Sequence, residues 1–228
     1  MLTTPPGYVS LTTGLRNYYE QRNVPEEVKM DDVHTIVSQG EKYKEDRKTI
    51  PLVAMAWVHL QRMQKLIDNN PDPTVKQISC RRGCSFCCHM NVDITEDEGH
   101  YLIHYCQTHG IEIDEEYLVK QLPLKMETHM MSPHSACVFL KSGECSVYEA
   151  RPHACRKYFA LFDPILCSSE SLSAQQGFLF NRKVELYASA LLQASTTGHM
   201  AEMLLHLLHQ QRKPTHGTIH LPDQREEL

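Results

Sequence analysis

The sequence is short of basic charge, long apolar runs and glycine, and each shortage excludes a class of protein. Its 228 residues carry 23 Lys and Arg against 28 Asp and Glu, a formal net charge of -5. Broad electrostatic capture of nucleic acid needs a strongly basic face, so we expect no nucleic-acid partner. No apolar run approaches the roughly 20 residues that span a bilayer, the longest being Leu52 to Val58. We therefore expect no membrane partner.

Signals for nucleotide binding and for export are missing as well. The chain has no G-x-x-x-x-G-K-[ST] loop, no G-x-G-x-x-G after a strand pattern and only 10 glycines, so a nucleotide-binding sheet is not predicted. The start of the chain, from Met1 to Pro6, lacks the positive charge and apolar run of a secretory signal. We therefore expect a cytoplasmic protein, in a compartment that keeps thiols reduced.

Eight of the nine cysteines form a pattern of closely spaced thiols. They are Cys80-x3-Cys84-x2-Cys87-Cys88, followed by Cys137, Cys145, Cys155 and Cys167. Clustered thiols in a reducing compartment are more often metal ligands than disulfides, and an odd total fits poorly with complete pairing. Zinc takes four ligands, often from pairs two to four residues apart. The pattern therefore predicts binding of zinc or iron, the latter including an iron-sulfur cluster.

The spacing leaves the stoichiometry open. Cys87 and Cys88 are neighbours whose side chains diverge, so one of them is free to serve a second site. Two four-cysteine sites, one binuclear cluster, or one iron-sulfur cluster with spare thiols all fit. Thiolate centres carry negative charge, and cations interleaved with the cysteines could offset it: Arg81, Arg82, Lys141, Arg151, Arg156 and Lys157. Of these, Arg156 is predicted to donate hydrogen bonds to ligating sulfur, because it directly follows Cys155.

Helix patterns fill the chain before the first cysteine. Asp31 to Lys44 has apolar residues at helical spacing and is expected to end near Asp46. Pro51 to Asp68 is a stronger pattern, whose proline suits a first helical turn. The run Asn69 to Pro73 then ends the helix, because proline cannot continue it.

Further helices are predicted beyond the first cysteines. Thr95 to Glu98 has the pattern of a capping box, with a helix to about Thr108 that stops at Gly110. Asp114 to Met131 is the next helix pattern, and helical periodicity returns from Ser173 to Pro214.

The only clear β signal is a small hairpin. Cys137 to Leu140 and Cys145 to Tyr148 flank Lys141 to Glu144, which places Gly143 where a positive φ is needed. The expected fold is mainly α, a helical single domain over residues 1–228 with a small β-hairpin and a cysteine-rich metal-binding centre. Its expected parts are an N-terminal helical part (1–79), a metal-binding core (80–167) and C-terminal helices with a tail (168–228).

The cysteine pattern resembles a known family. It is carried by the first four cysteines, the stretch Cys137 to Leu140, the run from Cys145 through Tyr148, Arg151 and Pro152 to Cys155 and Arg156, and the late Cys167. This pattern is similar to the YkgJ-like cysteine-cluster family, also described as the CxxCxxCC zinc- or iron-chelating domain. The resemblance implies that the eight cysteines are the family's metal-binding set. The chain departs from the family name in the three-residue gap after Cys80, where the family has two.

Other side chains offer further candidates. His89 and His153 stand beside cysteines and could replace one as a ligand. His100 and His104 lie four apart on a predicted helix, but without a His-Glu-x-x-His pattern they are interpreted as structural. Cys106 lies outside the family pattern and is interpreted as a small buried apolar side chain.

Three functions follow from these patterns. The first is a metal-binding protein whose ion is structural or redox-active and which acts with an unidentified protein partner. The second, implied by a longer branch of the same family, is an enzyme related to the flagellin lysine N-methylases. The third is a thiol redox switch, in which cysteines near arginines form reversible disulfides.

Overall fold

The computed structural model describes residues 9–123, 136–168 and 178–212, and within these ranges the fold is mainly α, as predicted. The α-helices are α1 Thr13–Arg22, α2 Glu26–Asp46, α3 Leu52–Asp68, α4 Glu96–His109, α5 Glu115–Gln121, α6 His153–Arg156, α7 Arg182–Ala194 and α8 Met200–Arg212. The strands are β1 Asp93–Thr95, β2 Leu140–Lys141, β3 Glu144–Cys145 and β4 Thr197–His199. Single 3-10 turns cover Pro73–Gln77, Phe86–His89, Tyr148–Ala150 and Pro164–Ser168. None of the described helices combines the length and apolarity needed to cross a membrane.

Local signals set the ends of α3 and α4. Pro51 is the residue before α3, and that helix ends at Asp68, as predicted. The Thr95 side chain accepts a hydrogen bond from the Glu98 N–H at 3.2 Å, and the Glu98 carboxylate accepts one from the Thr95 N–H at 3.0 Å. This is the predicted capping box, which satisfies two N–H groups that a helix start would otherwise leave unpaired. Gly110 ends α4 with a φ of 64°.

Three predicted boundaries differ from the structure. The first long helix begins at Glu26 rather than Asp31, because Pro25 and two glutamates provide a helix start that the apolar spacing did not reveal. The predicted helix from Asp114 is α5, which ends at Gln121, and residues 124–135 lie outside the described ranges. The helical pattern from Ser173 becomes α7 only at Arg182, and its first residues lie outside the described ranges.

The hairpin is confirmed, and the structure adds a second β pair for which the sequence carries no clear signal. β2 and β3 pair antiparallel, and both loop residues have positive φ, 50° at Ser142 and 81° at Gly143. This is the backbone that two-residue hairpin loops favour. A second antiparallel pair joins β1 to β4, with Ile94 opposite Gly198. Each of these strands is three residues long and leads directly into a helix, so neither shows a period of two in the sequence.

The described helices enclose buried apolar side chains in two parts of the molecule, called here the first and the second core. α1, α2, α3 and α7 surround the first, which contains Ile36, Met55, Met63, Leu186 and Leu191 among others. α4, α5, α8 and the hairpin surround the second, which contains Leu102, Leu118, Phe139, Val147 and Leu204. α3 packs on α4 and thereby joins the two halves. Cys106 is 1% exposed within the second core, which confirms its interpretation as a buried apolar side chain.

α4 and α8 approach each other closely at Gly99. A Cβ at this position would lie 2.6 Å from Leu207 Cδ1 and 3.2 Å from Met203 Cγ. Both side chains belong to the second core, so they have little room to move aside. The absence of a side chain at Gly99 therefore sets the distance between the two helices.

A buried carboxylate connects α4 to the segment that carries Cys155. Glu98 is 3% exposed, and besides Thr95 it accepts hydrogen bonds from the His153 N–H at 2.6 Å and from His153 Nδ1 at 2.9 Å. Burial alone would raise the pKa of Glu98, but His153 and the N–H groups of Thr95 and His153 hold that pKa below its usual range. The carboxylate is therefore ionised and joins two helix starts.

We expect opposite effects from adding a methyl group at two helical glycines. Gly99→Ala should lower the free energy of unfolding by about 1–2 kcal/mol, because the added methyl overpacks the crossing of α4 and α8. Gly40→Ala is the matched control, since its Cβ would lie 3.5 Å from the nearest atom. It should raise the free energy of unfolding by about 0.5–1 kcal/mol through better helix propensity. Urea denaturation measures both, and equal effects would contradict the close approach.

Glu98→Gln should be strongly destabilising at neutral pH and less so in acid. At pH 7 we expect a loss of about 2–4 kcal/mol, because the substitution removes a buried charge that several donors satisfy. The folded pKa of Glu98 lies below its unfolded value, so its contribution is present above the unfolded value, about 4.3, and is lost as the pH falls through the folded pKa. The difference between the two proteins in urea denaturation should therefore shrink as the pH falls below about 4.3, and a difference that grows in acid would contradict the assignment.

Candidate metal centre

Four segments that carry cysteines come together beside the second core. The 3-10 turn Phe86–His89 packs against the turn Pro164–Ser168, which contains Cys167. The Cys137 N–H donates to the Cys88 carbonyl at 2.6 Å, and the Ser79 N–H donates to the Ala160 carbonyl at 3.0 Å. Backbone hydrogen bonds therefore hold the first cysteine segment against both the hairpin and the chain that follows α6.

All nine cysteines are free thiols, so no disulfide contributes to this arrangement. Their exposure differs: Cys87 is exposed, Cys106 and Cys167 are buried, and the remaining thiols are partly buried. A dense set of unpaired thiols is the state that soft metal ions require, since the thiolate is the ligand.

The thiols interact through charge in two groups. The pKa of Cys167 is raised to about 11 by burial and by the neighbouring charges of Cys80, Cys84 and Cys87. The pKa of Cys155 is raised well above its ordinary value by burial and by the charges of Cys137, Cys87 and Cys145. We name Cys80, Cys84, Cys87 and Cys167 the first thiol group, and Cys88, Cys137, Cys145 and Cys155 the second. Cys87 interacts with members of both groups, so the groups are adjacent.

The sulfur atoms of these groups are not directed at a common point. Across residues 9–123, 136–168 and 178–212, no three or more His, Cys, Asp or Glu side chains are arranged to hold a metal ion. The structure thus brings the predicted cysteines into one region. Their side chains would have to rotate toward one another to bind a common metal ion.

Backbone N–H groups point at three of the sulfur atoms. The Ala160 N–H donates to Cys80 Sγ at 3.2 Å. Burial raises the pKa of Cys137 to about 12, opposed by a hydrogen bond from the N–H of Phe139. Burial likewise raises the pKa of Cys145, opposed by the N–H of Val147. Hydrogen bonds to sulfur favour the thiolate and support ligating cysteines, so this donor set fits a thiophilic metal.

The vicinal pair differs from the other thiols. A hydrogen bond from the Cys88 side chain lowers the pKa of Cys87 to about 7, against the effect of burial, and the charge of Arg151 lowers it further. The same hydrogen bond and burial raise the pKa of Cys88. The exposed Cys87 is therefore the thiol that loses its proton most readily.

Arg151 is the cation whose charge acts on the largest number of the described thiols. Its charge lowers the pKa of both Cys87 and Cys145, and it also acts on Cys80 and Cys155. Its guanidinium lies 3.5 Å from the centre of the Tyr148 ring, and its Nε donates to the Tyr148 carbonyl at 2.9 Å. These contacts fix the position of the charge.

The prediction that Arg156 donates to sulfur is not what the structure shows. Its guanidinium donates to the Arg151 carbonyl at 2.7 Å, to the Glu149 carbonyl, and to Gln64 Oε1 at 3.3 Å. Arg156 is 7% exposed and thus serves as a buried brace between α3 and the turn before α6.

The four candidate histidines differ in burial and in their hydrogen-bond partners. His89 is partly buried, and its Nδ1 has no hydrogen-bond partner among the described residues. His153 is buried, and its Nδ1 is engaged by Glu98. His100 and His104 are partly buried on α4. Sequence reasoning identified Glu98 only as a capping residue, because nothing local to it reveals its contact with His153, 55 positions away.

The geometry agrees with one comparison to known proteins. Residues 79–177 match the family model "CxxCxxCC: Putative zinc- or iron-chelating domain". No curated protein and no solved structure matches the chain. The matched range contains both thiol groups and the hairpin, and the resemblance predicted from the cysteine spacing is confirmed. Over residues 79–177 the chain is therefore similar to the CxxCxxCC family, whose domain is described as zinc- or iron-chelating.

Proposed function

We propose that the chain binds two zinc or iron ions, one through the first thiol group and one through the second. The observation that carries this proposal is the meeting of eight free thiols, from four segments, in two adjacent and electrostatically coupled groups. Each group contains four cysteines, the number that a tetrahedral zinc or iron centre takes. The match to a zinc- or iron-chelating family supports the same conclusion.

The vicinal cysteines explain why two groups are proposed rather than one. Neighbouring side chains diverge, so Cys87 and Cys88 serve different ions. Cys87 joins Cys80, Cys84 and Cys167, while Cys88 joins the hairpin cysteines Cys137 and Cys145, which in turn interact with Cys155. The Cys137 N–H bond to the Cys88 carbonyl holds Cys88 beside the hairpin, and Cys87, the next residue in the chain, keeps the first group adjacent to the second.

The surrounding residues prepare the thiols for a metal. The N–H groups of Phe139, Val147 and Ala160 stabilise sulfur that has lost its proton. Arg151 offsets part of the negative charge that accumulates when four thiolates hold a divalent ion. When bound, the metal would supply cross-links between segments distant in sequence, and its binding free energy would add to that of folding.

A thiol redox switch is a second candidate, favoured by the exposure and lowered pKa of Cys87. A peroxide-class oxidant would take two electrons from the Cys87 thiolate to give a sulfenic acid, which condenses with a neighbouring thiol to a disulfide and releases water. The two functions separate in the anaerobically purified protein. Stoichiometric metal with thiols protected from alkylation supports the metal centre, and metal-free thiols that cycle reversibly support the switch.

Elemental analysis of the anaerobically purified chain should find about two metal ions per chain. Cys84→Ser and Cys145→Ser should each lose about one ion, because each substitution removes one of four ligands from a different group. An absorption spectrum identifies the metal, since zinc centres are colourless and iron-sulfur clusters absorb visible light.

Cys106→Ala is the matched control for the ligand substitutions. Its thiol lies in the second core, so its removal should leave the metal content unchanged. A purified wild-type chain with less than about one ion, or a Cys145→Ser variant with unchanged content, would contradict the proposed sites.

Arg151→Gln should weaken metal binding by about tenfold in competition with a chromophoric chelator. The reason is that Arg151 lowers the pKa of several thiols and so favours the thiolates that bind metal, and loss of such a supporting residue typically weakens metal binding about tenfold or more. Arg81→Gln removes the same charge from an exposed residue beside Cys80 and should have little effect. Equal losses in the two variants would show that only net charge matters.

A further inference from the structure

The start of α4 holds a buried carboxyl group that the proposed metal centre does not use. Asp97 is 1% exposed and lies in the first turn of the helix, between Glu96 and Glu98. Its Oδ1 accepts a hydrogen bond at 3.1 Å from Nε of Arg47, the residue that directly follows α2. We name Arg47, Glu96 and Asp97 the α2–α4 contact.

The other carboxyl oxygen of Asp97 is buried without a partner. Oδ2 is shielded from solvent and has no hydrogen-bond partner among the described residues. An ionised carboxyl group spreads its charge over both oxygens, and a buried charge is tolerated only where donors or opposite charges surround it. A proton on Oδ2 would remove this charge, and a proton, unlike a metal ion or a small molecule, needs no cavity around it.

The first turn of α4 presents three consecutive carboxyl groups, and their donors are unequally divided. Glu98 receives two backbone N–H groups and His153 Nδ1. Arg47 directs Nη2 to Glu96 and Nε to Asp97, so these two carboxyl groups share one guanidinium. Asp97 is therefore the buried carboxyl group with the fewer donors, and it lies beside the ionised Glu98.

The elements packed on the start of α4 carry other charged and titratable groups. These are His59 and Arg62 on α3, Asp93 on β1, His100 on α4, His153 on α6 and Glu202 on α8. Arg62 pairs with Asp46 at 3.2 Å, His153 pairs with Glu98, and Asp93 and Glu202 are exposed. Within the described ranges, Arg47 is the only cation within ion-pair distance of Asp97.

The surroundings of Asp97 favour its protonated form. Burial and the charge of Glu98 raise the pKa of Asp97 to about 7. The Arg47 ion pair acts in the opposite direction, but that guanidinium is shared with Glu96 and is partly exposed. The pKa of Glu98, in contrast, lies below its usual range, so the two neighbouring buried carboxyl groups differ in proton affinity.

We propose that Asp97 is a proton-binding site that makes the α2–α4 contact sensitive to pH. With a proton on Oδ2, the carboxyl group is neutral and its Oδ1 still accepts from Arg47. Without this proton, a second buried negative charge lies beside Glu98, and Oδ2 has no donor. The contact is therefore stronger in mildly acidic than in alkaline solution. Asp97 belongs to neither thiol group, so the proposal does not depend on the proposed metal sites.

Asp97→Asn tests the proposal by urea denaturation of the full, metal-loaded chain at about pH 6 and about pH 8. Asparagine has a similar size and, like the protonated acid, carries no charge. The folded pKa of Asp97 lies above its unfolded value, about 3.9, so its stabilising contribution is complete below the unfolded value and is lost as the pH rises through the folded pKa. The unfolding constant of the wild type, relative to that of the variant, should therefore rise about tenfold between the two pH values.

Infrared spectroscopy observes the proton directly. A protonated carboxyl group has a C=O stretching band that the ionised group lacks, and the difference spectrum between wild type and Asp97→Asn should contain this band at about pH 6 and lose it by about pH 9. Glu96→Gln leaves Arg47 to Asp97 alone, so the band should disappear at a pH about one unit lower. If Asp97→Asn does not fold, the pH at which the band disappears in the wild type and in Glu96→Gln still decides the proposal.

Asp31→Asn is the matched control, because it removes the same charge from an exposed position on α2. Its unfolding constant relative to that of the wild type should be the same at both pH values, and elemental analysis checks that all variants keep the same metal content. A constant ratio between wild type and Asp97→Asn, or a missing carboxyl band, would show that Asp97 is ionised throughout and would overturn the proposal. An equal pH effect in Asp31→Asn would overturn it as well, because net charge alone would then explain the result.

Discussion

The ionised carboxylate of Glu98 is the interaction on which the arrangement of the cysteine-rich segment depends. It completes the start of α4 with Thr95, and it receives two hydrogen bonds from His153, two residues before Cys155. A buried charge is tolerated only where donors surround it, so the two helix starts must stay together. Arg156 extends the same connection to α3 through Gln64. Polar contacts thus attach the second thiol group to α4 and α3, in addition to the apolar contacts that the hairpin makes within the second core.

The second constraint is the balance between burial and charge at the thiols. Burial raises the pKa of Cys137, Cys145 and Cys155, which favours the neutral form. Backbone N–H groups and Arg151 favour the ionised form at several of the same positions. Burial therefore keeps these cysteines as neutral thiols in the absence of metal. The N–H groups and Arg151 lower the cost of losing the proton, which a cysteine must do to bind a metal ion.

Sequence reasoning was accurate where the determinants are local. The ends of α3 and α4 could be predicted, because each is set within a single turn of the chain. The signals are Pro51, the capping box at Thr95 and the glycine after α4. β1 and β4 are three residues long and about a hundred positions apart, so no periodic pattern reveals them. The wrong prediction for Arg156 has a similar cause, since the direction of a long side chain depends on tertiary neighbours.

The exposure of Cys87 affects how a metal ion would enter and leave the proposed centre. Seven of the eight thiols are buried or partly buried, whereas this one faces solvent and interacts with both groups. An incoming chelator or acceptor protein would meet the bound ion on that side and displace Cys87 first, while the remaining sulfurs keep hold of it. Exchange would then pass through a mixed complex shared by donor and recipient, and no free ion would be released into the surrounding solution.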